Sequence, residues 1–548
     1  MENDHLLHLT RALADLSDSQ PDGASSAAEK APTLEEWCDG LESRLLAAGG
    51  ARAREAVRDD DAAATASLAQ DAADALVASI LAAVPASLDL DLDLRAPRGR
   101  AREEDAAPAG GDPRRLAGAL RAAGLFLRWA AAASSPPGRA AAPVAALRSA
   151  GMVRLYATLL DDADGGVDDA AAREGDLPAA PLAPPDVARC ASICLFRATY
   201  GSDAAATAAR EAFVASPDGC ARLARALRRG GQPVARLFSV VRNVHHLASA
   251  CPAAIPKMED ALLRSSPTVA GGGEGDGDGA PRPCLSEVLI ATLAWAFRSD
   301  PPFPGDAATD RRADLVSEIL RALYALDHSG SGPSGRTSRR PSEDAMTQIG
   351  TLLCDILRAS SADERVYRAK LDAVTLLLDA PKQYAGFLAQ NGGIPPLVDL
   401  LSYQTSLVLV ERTASSKEDA AEVLPILLAL RRLAASHHAA LDRIKDGVFP
   451  PAAEDAFEDR AAAELDKGKT QGTVRAKNMA PLDAPPGTLR RRLVDLMTHL
   501  DPGVKRGACE LLWELSDRDS TRFVLRTGFG NAVHFLGIRG CVDMPAGV

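Results

Sequence analysis

The chain has 548 residues with 62 Lys+Arg against 74 Asp+Glu, a formal net charge of −12, and it is 47% apolar but only 4% aromatic. That acidic balance argues against general nucleic-acid binding, which wants a basic footprint. No run approaches the roughly 18 consecutive apolar residues of a membrane-spanning helix, so no integral membrane segment is expected. The N-terminus, MENDHLLHLT, lacks a basic stretch followed by an apolar one, so no secretory signal is expected. Nine scattered cysteines, Cys38, Cys190, Cys194, Cys220, Cys251, Cys284, Cys354, Cys509 and Cys541, fit free thiols in a reducing, cytoplasmic setting. The length allows about three or four domains, or one long repeat array.

In chain order, residues 1–113 read as Ala/Asp/Arg-rich N-terminal helices with expected disordered linkers at 18–33 and 95–113. The alternation Leu88-Asp89-Leu90-Asp91-Leu92-Asp93-Leu94 reads as an extended linker. From there on, apolar residues recur at i, i+3, i+4 and i+7, the helical period. The spacing predicts helices over Leu116–Trp129, Val187–Tyr200, Pro233–Leu247, Leu285–Phe297, Leu315–Leu326, Leu371–Leu378, Ala420–Leu433, Leu489–Leu500 and Lys505–Leu515. Alanine, the best helix former, is abundant throughout. Between these lie expected loops at 268–283 and 328–344 and a long polar stretch at 452–488. At 389–401, Asn391-Gly392-Gly393 should stop one helix and Pro395 or Pro396 should start the next. This turn resembles that of armadillo repeats. Buried helices return every 30–55 residues or so, near the armadillo/HEAT period. The expected fold is all-α, an armadillo/HEAT-like α-solenoid (superhelix), with repeats over 114–451, a C-terminal helical repeat over 489–540 and a short tail over 541–548.

Motifs that carry chemistry are few. Gly468-Lys469-Thr470 ends like a phosphate-binding loop, but position 463 is Ala and no strand precedes it. Glu274, Asp276 and Asp278 lack the remaining ligands of a calcium loop and read as a solvated acidic linker. Cys190 and Cys194, even with His245-His246, do not have structural zinc spacing and read as core. His437-His438 read as residues near a helix end. No nucleophile–base set is evident, so no enzyme activity, metal or cofactor is expected. Arg339-Arg340-Pro341-Ser342 resembles the target of a basophilic kinase, which makes Ser342 a candidate phosphosite.

The C-terminal segment is more specific. Leu489-Arg490-Arg491-Arg492-Leu493-Val494-Asp495-Leu496-Met497-Thr498-His499-Leu500-Asp501-Pro502-Gly503-Val504-Lys505 continues to Leu515 and is followed by Arg522-Phe523-Val524. Then comes Thr527-Gly528-Phe529-Gly530-Asn531-Ala532. Upstream, Lys417-Glu418, Val423-Leu424-Pro425-Ile426-Leu427 and Val448-Phe449-Pro450-Pro451 keep the same order. Together these resemble the synembryn family (resistance-to-inhibitors-of-cholinesterase proteins). The family signature falls on Leu496, Met497, Thr498, His499, Asp501, Val504, Lys505, Thr527, Gly528, Gly530 and Asn531.

The resemblance implies a superhelix that acts as guanine-nucleotide exchange factor and chaperone for heterotrimeric G-protein α subunits (Gα), GDP-bound or nucleotide-free. It implies a concave groove for the C-terminal helix of Gα, a monomeric state, and a cytoplasmic location with recruitment to the cell cortex. Candidate groove residues are Arg128, Arg197, Arg236, Arg242, Arg321, Arg412, Lys417, Arg490, Arg491 and Arg492. Arg197 stands where the family often has Asn, and Leu323-Tyr324-Ala325 where it often has "LFN". With only eight residues after Gly540, regulation through an acidic phosphorylated tail is not expected. The competing reading is an armadillo-type scaffold that binds peptide or cargo without changing nucleotide state.

Overall fold

The computed structural model describes part of 116–127 and residues 147–160, 185–264, 283–297, 311–329, 339–410, 416–449 and 487–541, apart from short gaps at 217, 229–231, 361–362 and 379–381. Among the described residues every regular element is a helix. They are α1 (Ala150–Thr158), α2 (Pro185–Thr199), α3 (Ala204–Ala215), α4 (Gly219–Arg228), α5 (Val234–Ala250), α6 (Ala254–Arg264), α7 (Leu285–Phe297), α8 (Arg312–Ser329) and α9 (Glu343–Arg358). They continue as α10 (Glu364–Leu377), α11 (Lys382–Gln390), α12 (Ile394–Val410), α13 (Ser416–Ser436), α14 (His438–Val448), α15 (Leu489–Leu496), α16 (Pro502–Leu515), α17 (Ser520–Thr527) and α18 (Phe529–Ile538). The expected helices from Val187 on are present, α5, α8, α13 and α16 running a few residues longer than expected, α10 beginning before Leu371, and α15 stopping at Leu496 instead of reaching Leu500; Leu116–Trp129 is described only in part. The stop has a local cause, because Met497, Thr498 and His499 tighten into i→i+3 bonds to Val494, Asp495 and Leu496. The linkers expected at 18–33 and 88–113 lie outside the described residues, as do 268–282 of the loop expected at 268–283, 330–338 of that at 328–344 and 452–486 of that at 452–488, with Gly468-Lys469-Thr470 and the Glu274, Asp276 and Asp278 group; the two ends of the 328–344 loop prove helical, belonging to α8 and α9.

Packing divides the described chain into two units: the first runs to Val288 inside α7 and also takes Ser329–Arg340, and the second holds Leu289–His328 and the residues from Pro341 on. In the first unit α2 packs on α5 and α4 on α6, with α1 against α2, α3 and α4. In the second, α10 packs on α13 and α13 on α16, while α12 lies against α13, α14 and α15. Helices 489–540 are therefore part of the second unit's core. Each helix meets its neighbours in the stack, the arrangement of helical repeats. The core is built of Leu, Ala and Val, such as Leu195, Ala198, Val244 and Leu247 in the first unit and Leu427, Leu430, Val504 and Leu512 in the second, all essentially buried. Each fully buried Leu or Val contributes about 1.5–3 kcal/mol. Small residues let the helices approach: a Cβ on Gly507 would meet Leu424 at 3.2 Å and Leu427 at 3.4 Å across the α13–α16 contact.

The α11–α12 turn closes as expected. Gly392 sits at φ +69°, and the Gly393 N–H donates to the Leu388 carbonyl at 2.8 Å, the long bond of a Schellman turn. Aspartate or serine caps start the helices that follow loops: Asp203, Ser342, Asp363, Asp501 and Asp519 each accept a first-turn N–H.

Helix C-termini are closed in a less usual way, by guanidinium groups from other helices. Arg222 donates to Thr158 (3.3 Å) and Arg236 to Leu160 (3.2 Å) at the end of α1, and Arg210 to Thr199 (2.6 Å) and Gly201 (2.7 Å) at the end of α2. In the second unit Arg432 donates to Leu378 after α10, Arg358 to Asn391 after α11, Arg526 to Leu515 of α16, and Arg490 to Arg526 of α17 (3.2 Å). The last four carbonyls of a helix have no partner within it and carry the negative end of its dipole, so a cation placed there both bonds and neutralises.

The turn predicts a specific sensitivity. A Cβ at Gly393 would lie 2.6 Å from Leu388 and 2.9 Å from Cys354 Sγ. Gly393→Ala is expected to lower stability by about 1–3 kcal/mol through overpacking. Gly392→Ala is expected to cost about 1–2 kcal/mol through its left-handed backbone. Urea denaturation measures both.

Candidate functional site: outward arginines over buried carboxylates

In the second unit, α8, α10, α13 and α16 follow one another, and an arginine bridges each seam. Arg321 on α8 binds Asp372 on α10 through Nε at 2.9 Å, and Asp372 also accepts Ser317 Oγ at 2.6 Å. Arg432 on α13 reaches the Leu378 carbonyl after α10. Arg431 on α13 pairs with Glu510 on α16. On α16 itself Glu510 takes a second arginine, Arg506, at 2.8 Å, and Glu514 takes Arg518 at 2.9 Å.

The exposures have a consistent sense. The carboxylates are inside, with side chains 13% (Asp372), 8% (Glu510) and 10% (Glu514) exposed. Their arginines face outward, at 40% for Arg321, 79% for Arg506 and 61% for Arg518. A buried carboxylate fixes the inner edge of a guanidinium and leaves the remaining donors of its fork directed at solvent. An acidic chain thus presents ordered positive groups suited to carboxylates or helix C-termini.

The first unit carries a different patch where α2 meets α5. Phe196, Tyr200 and His246 form a ring cluster with centroids 5.1–5.5 Å apart, and the exposed Arg242 guanidinium lies 4.4 Å over the Phe196 ring. His246 Nε2 lies 2.9 Å from the Thr199 carbonyl. Burial holds the His246 ring below its ordinary 6.5, although that hydrogen bond pulls the other way. A carbonyl partner requires Nε2 to donate, so near neutral pH the ring is neutral with its proton on Nε2. Tyr200 is 55% exposed, which leaves an aromatic face beside a cation.

The arginines expected to line a groove separate into distinct roles. Arg236 is 4% exposed and spent on the Leu160 carbonyl, so it holds α5 to α1 and does not face a partner. Arg197 is half-buried and donates to Gly124. Arg242 and Arg321 reach the surface within the two sites just described. Arg490 lies over the Phe449 ring at 5.7 Å, the exposed Arg491 pairs with Asp495 at 3.1 Å, and Arg492 donates to Ser402 Oγ at 2.5 Å. These three neighbours therefore point to three different partners and do not form one basic cluster. Arg128 and Arg412 lie outside the described residues, as does the side chain of Lys417.

Cys190 and Cys194 are buried on α2, where Cys194 Sγ meets the Leu120 carbonyl at 3.0 Å and burial pushes its thiol well up. Among the described residues no three His, Cys, Asp or Glu side chains gather as metal ligands. His437 precedes α14, and the exposed His438 pairs with Asp442 at 2.8 Å.

The C-terminal signature is architectural. Leu496, Met497 and Val504 are buried. Thr498 is exposed and returns its hydroxyl to the Asp495 carbonyl at 3.0 Å, and Lys505 is half-buried on the first turns of α16. His499 Nδ1 accepts the Asp501 N–H at 3.1 Å, and Asp501 in turn caps α16 through Val504 N at 2.9 Å. Gly528 at φ +84° turns α17 into α18, with Thr527 Oγ1 donating to Phe523 and Asn531 Nδ2 donating to Thr527. Gly530 is exposed with open space around it.

Residues 303–545 match the family described as Guanine nucleotide exchange factor synembryn. A Chaperone Ric-8A from Xenopus laevis is 44% identical over 276 residues, and one from Macaca fascicularis is 27% identical over 264; each match covers 47% of this chain and 44% of the relative. The chain thus matches less than half the length of these synembryn relatives. Among solved structures, an engineered protein aligns at 15% identity with a TM-score of 0.37, covering 93% of this chain and 98% of its own. A designed armadillo repeat protein aligns at 12% identity with a TM-score of 0.34, covering 66% and 99%.

Two predictions follow the geometry of the synembryn segment. Glu510→Ala is expected to destabilise by about 1–3 kcal/mol because it strips the carboxylate from two arginines. Arg506→Ala should leave the urea midpoint unchanged. At the α16–α17 turn, Asp517 and Arg518 hold φ of 56° and 58°, and Asp517 binds Lys445 and Arg522. Partial burial alone would raise the Asp517 carboxyl, but Lys445, with Arg522 and Arg526, holds it below its ordinary 3.8. A depressed folded value means the stabilisation is complete above the unfolded value near 3.9 and fades as pH falls through the folded one. The stability gap between wild type and Asp517→Asn should therefore shrink below about pH 4. A gap constant from pH 7 to pH 3 contradicts the pairing.

Proposed function

We propose that the chain is an exchange factor and folding chaperone for heterotrimeric Gα subunits, working without covalent catalysis and binding the nucleotide-free state best. The match of 303–545 to synembryn carries this reading. The outward arginines of α8 and α16 support it. The C-terminal helix of a Gα subunit ends in a negative dipole and an α-carboxylate, the groups that fixed guanidinium forks bind well.

The mechanism is a linkage. A protein that binds empty Gα more tightly than loaded Gα weakens GDP by the same factor. Holding the C-terminal helix of Gα away from the sheet beneath the nucleotide pocket loosens that pocket, and GDP leaves. GTP binding then reverses the preference and expels the factor. Chaperoning is the same preference acting on an unfinished Gα. No catalytic residue is needed. The protein acts as a monomer in the cytoplasm and joins membrane-bound Gα at the cell cortex. No described helix is long and apolar enough to cross a membrane.

Saturating chain is expected to speed GDP release from a recombinant Gα, measured by loss of a fluorescent GDP analogue. Unaltered release with intact binding would favour the scaffold reading. Arg506→Glu with Arg518→Glu, and separately Arg412→Glu with Lys417→Glu, should weaken Gα binding by about tenfold or more while leaving the helical circular dichroism intact. Wild-type affinity in both double variants would remove the arginine face from the account.

A further inference from the structure

We propose that Ser342 is phosphorylated by an arginine-directed protein kinase. Arg-Arg-x-Ser/Thr occurs once in the 548 residues, at Arg339-Arg340-Pro341-Ser342. Kinases of this class hold their substrates extended and dock the two arginines on carboxylates. The structure meets both demands. Residues 339–342 precede α9 and are not helical, Ser342 is extended at φ −63° and ψ 161°, and Arg339, Arg340 and Ser342 are all exposed.

The main chain is also fixed without consuming the side chains. The Arg339 N–H donates to both carboxylate oxygens of Glu259 on α6 at 3.1 Å, which anchors the backbone while the Arg339 side chain stays exposed. The Ser342 hydroxyl oxygen caps α9 by accepting the Ala345 N–H at 3.4 Å, a long bond.

In the transfer step Ser342 Oγ forms a bond to the γ-phosphorus of kinase-bound ATP. The bridging P–O bond breaks with its electron pair leaving on ADP, and the hydroxyl proton passes to the kinase's catalytic carboxylate. Locally, Arg339 and Arg340 balance Glu343 and Asp344; the phosphate adds about −2 and makes the start of α9 an acidic point. Such a change repels an acidic partner and attracts a basic one.

The test incubates the full chain with ATP and the catalytic subunit of cAMP-dependent protein kinase, a representative of this class, and maps phosphate by mass spectrometry. Wild type should carry phosphate on Ser342. Ser342→Ala should take up at least about tenfold less, and Arg340→Ala should be modified about tenfold more slowly at unchanged circular dichroism. The proposal is overturned if the folded chain stays unmodified while a synthetic peptide of residues 336–346 is phosphorylated, because the site would then be occluded. It is equally overturned if Ser342→Ala labels as fast as wild type.

Discussion

A stack of short helices creates many helix ends, and each end leaves carbonyls that no residue of the same helix can satisfy. In this chain arginine meets that demand from neighbouring helices. Arg210, Arg222 and Arg236 do so in the first unit, and Arg358, Arg432, Arg490 and Arg526 in the second. Arg526 is the extreme case: 1% exposed, it spans from the Leu515 carbonyl to the face of Phe449, 4.1 Å from the ring centroid. Only a planar fork can donate at one edge and stack on its face at once, so lysine is no substitute there. With few aromatics to fill space, the helices pack through Leu and Ala and are pinned at their ends by guanidinium groups.

That structural use of arginine determines which arginines remain for function. The buried ones aimed at helix ends, Arg210, Arg236 and Arg526, are taken up by the fold. Those held by a buried carboxylate are more open: the Arg506 and Arg518 side chains are 79% and 61% exposed, and Arg321 is 40% exposed. The acid beneath them lowers the entropic cost of fixing a long side chain and orients it before any partner arrives. This is the physical difference between Arg236 and Arg506, two residues of one chemical type.

Much of the architecture is legible in the sequence. The 3.6-residue period locates α2, α5, α7, α8, α13 and α16, and the Asn-Gly-Gly-Ile-Pro-Pro string announces the α11–α12 turn down to its left-handed glycine. The synembryn-like segment at 489–540 is legible as a motif, although the structure shows its signature residues mostly capping and turning helices. The site is far less legible. Periodicity says which face of a helix is apolar, but not whether an arginine at the rim meets a carbonyl or a carboxylate 50–90 residues away. Hence Arg236 reads as partner-facing and proves to be an internal brace, while Arg490 and Arg492 are half-buried and donate to the Arg526 carbonyl and Ser402 Oγ. Conversely, Arg506-x-x-x-Glu510 and Glu514-x-x-x-Arg518 look like ordinary i,i+4 surface pairs. Nothing local reveals that Glu510 also takes Arg431 from α13 or that both acids are buried. Phe196 and Tyr200 share a helix face by spacing, but His246 and Arg242 join them only through the packing of α5 on α2.

The central claim is a preference for vacant Gα over loaded Gα. Its most direct measurement is the equilibrium affinity of the full chain for one Gα in two states, nucleotide-free and saturated with GDP, by titration calorimetry. A coupling of about 1–3 kcal/mol predicts that the vacant form binds about 5- to 150-fold more tightly. Equal affinities for the two states would contradict the account.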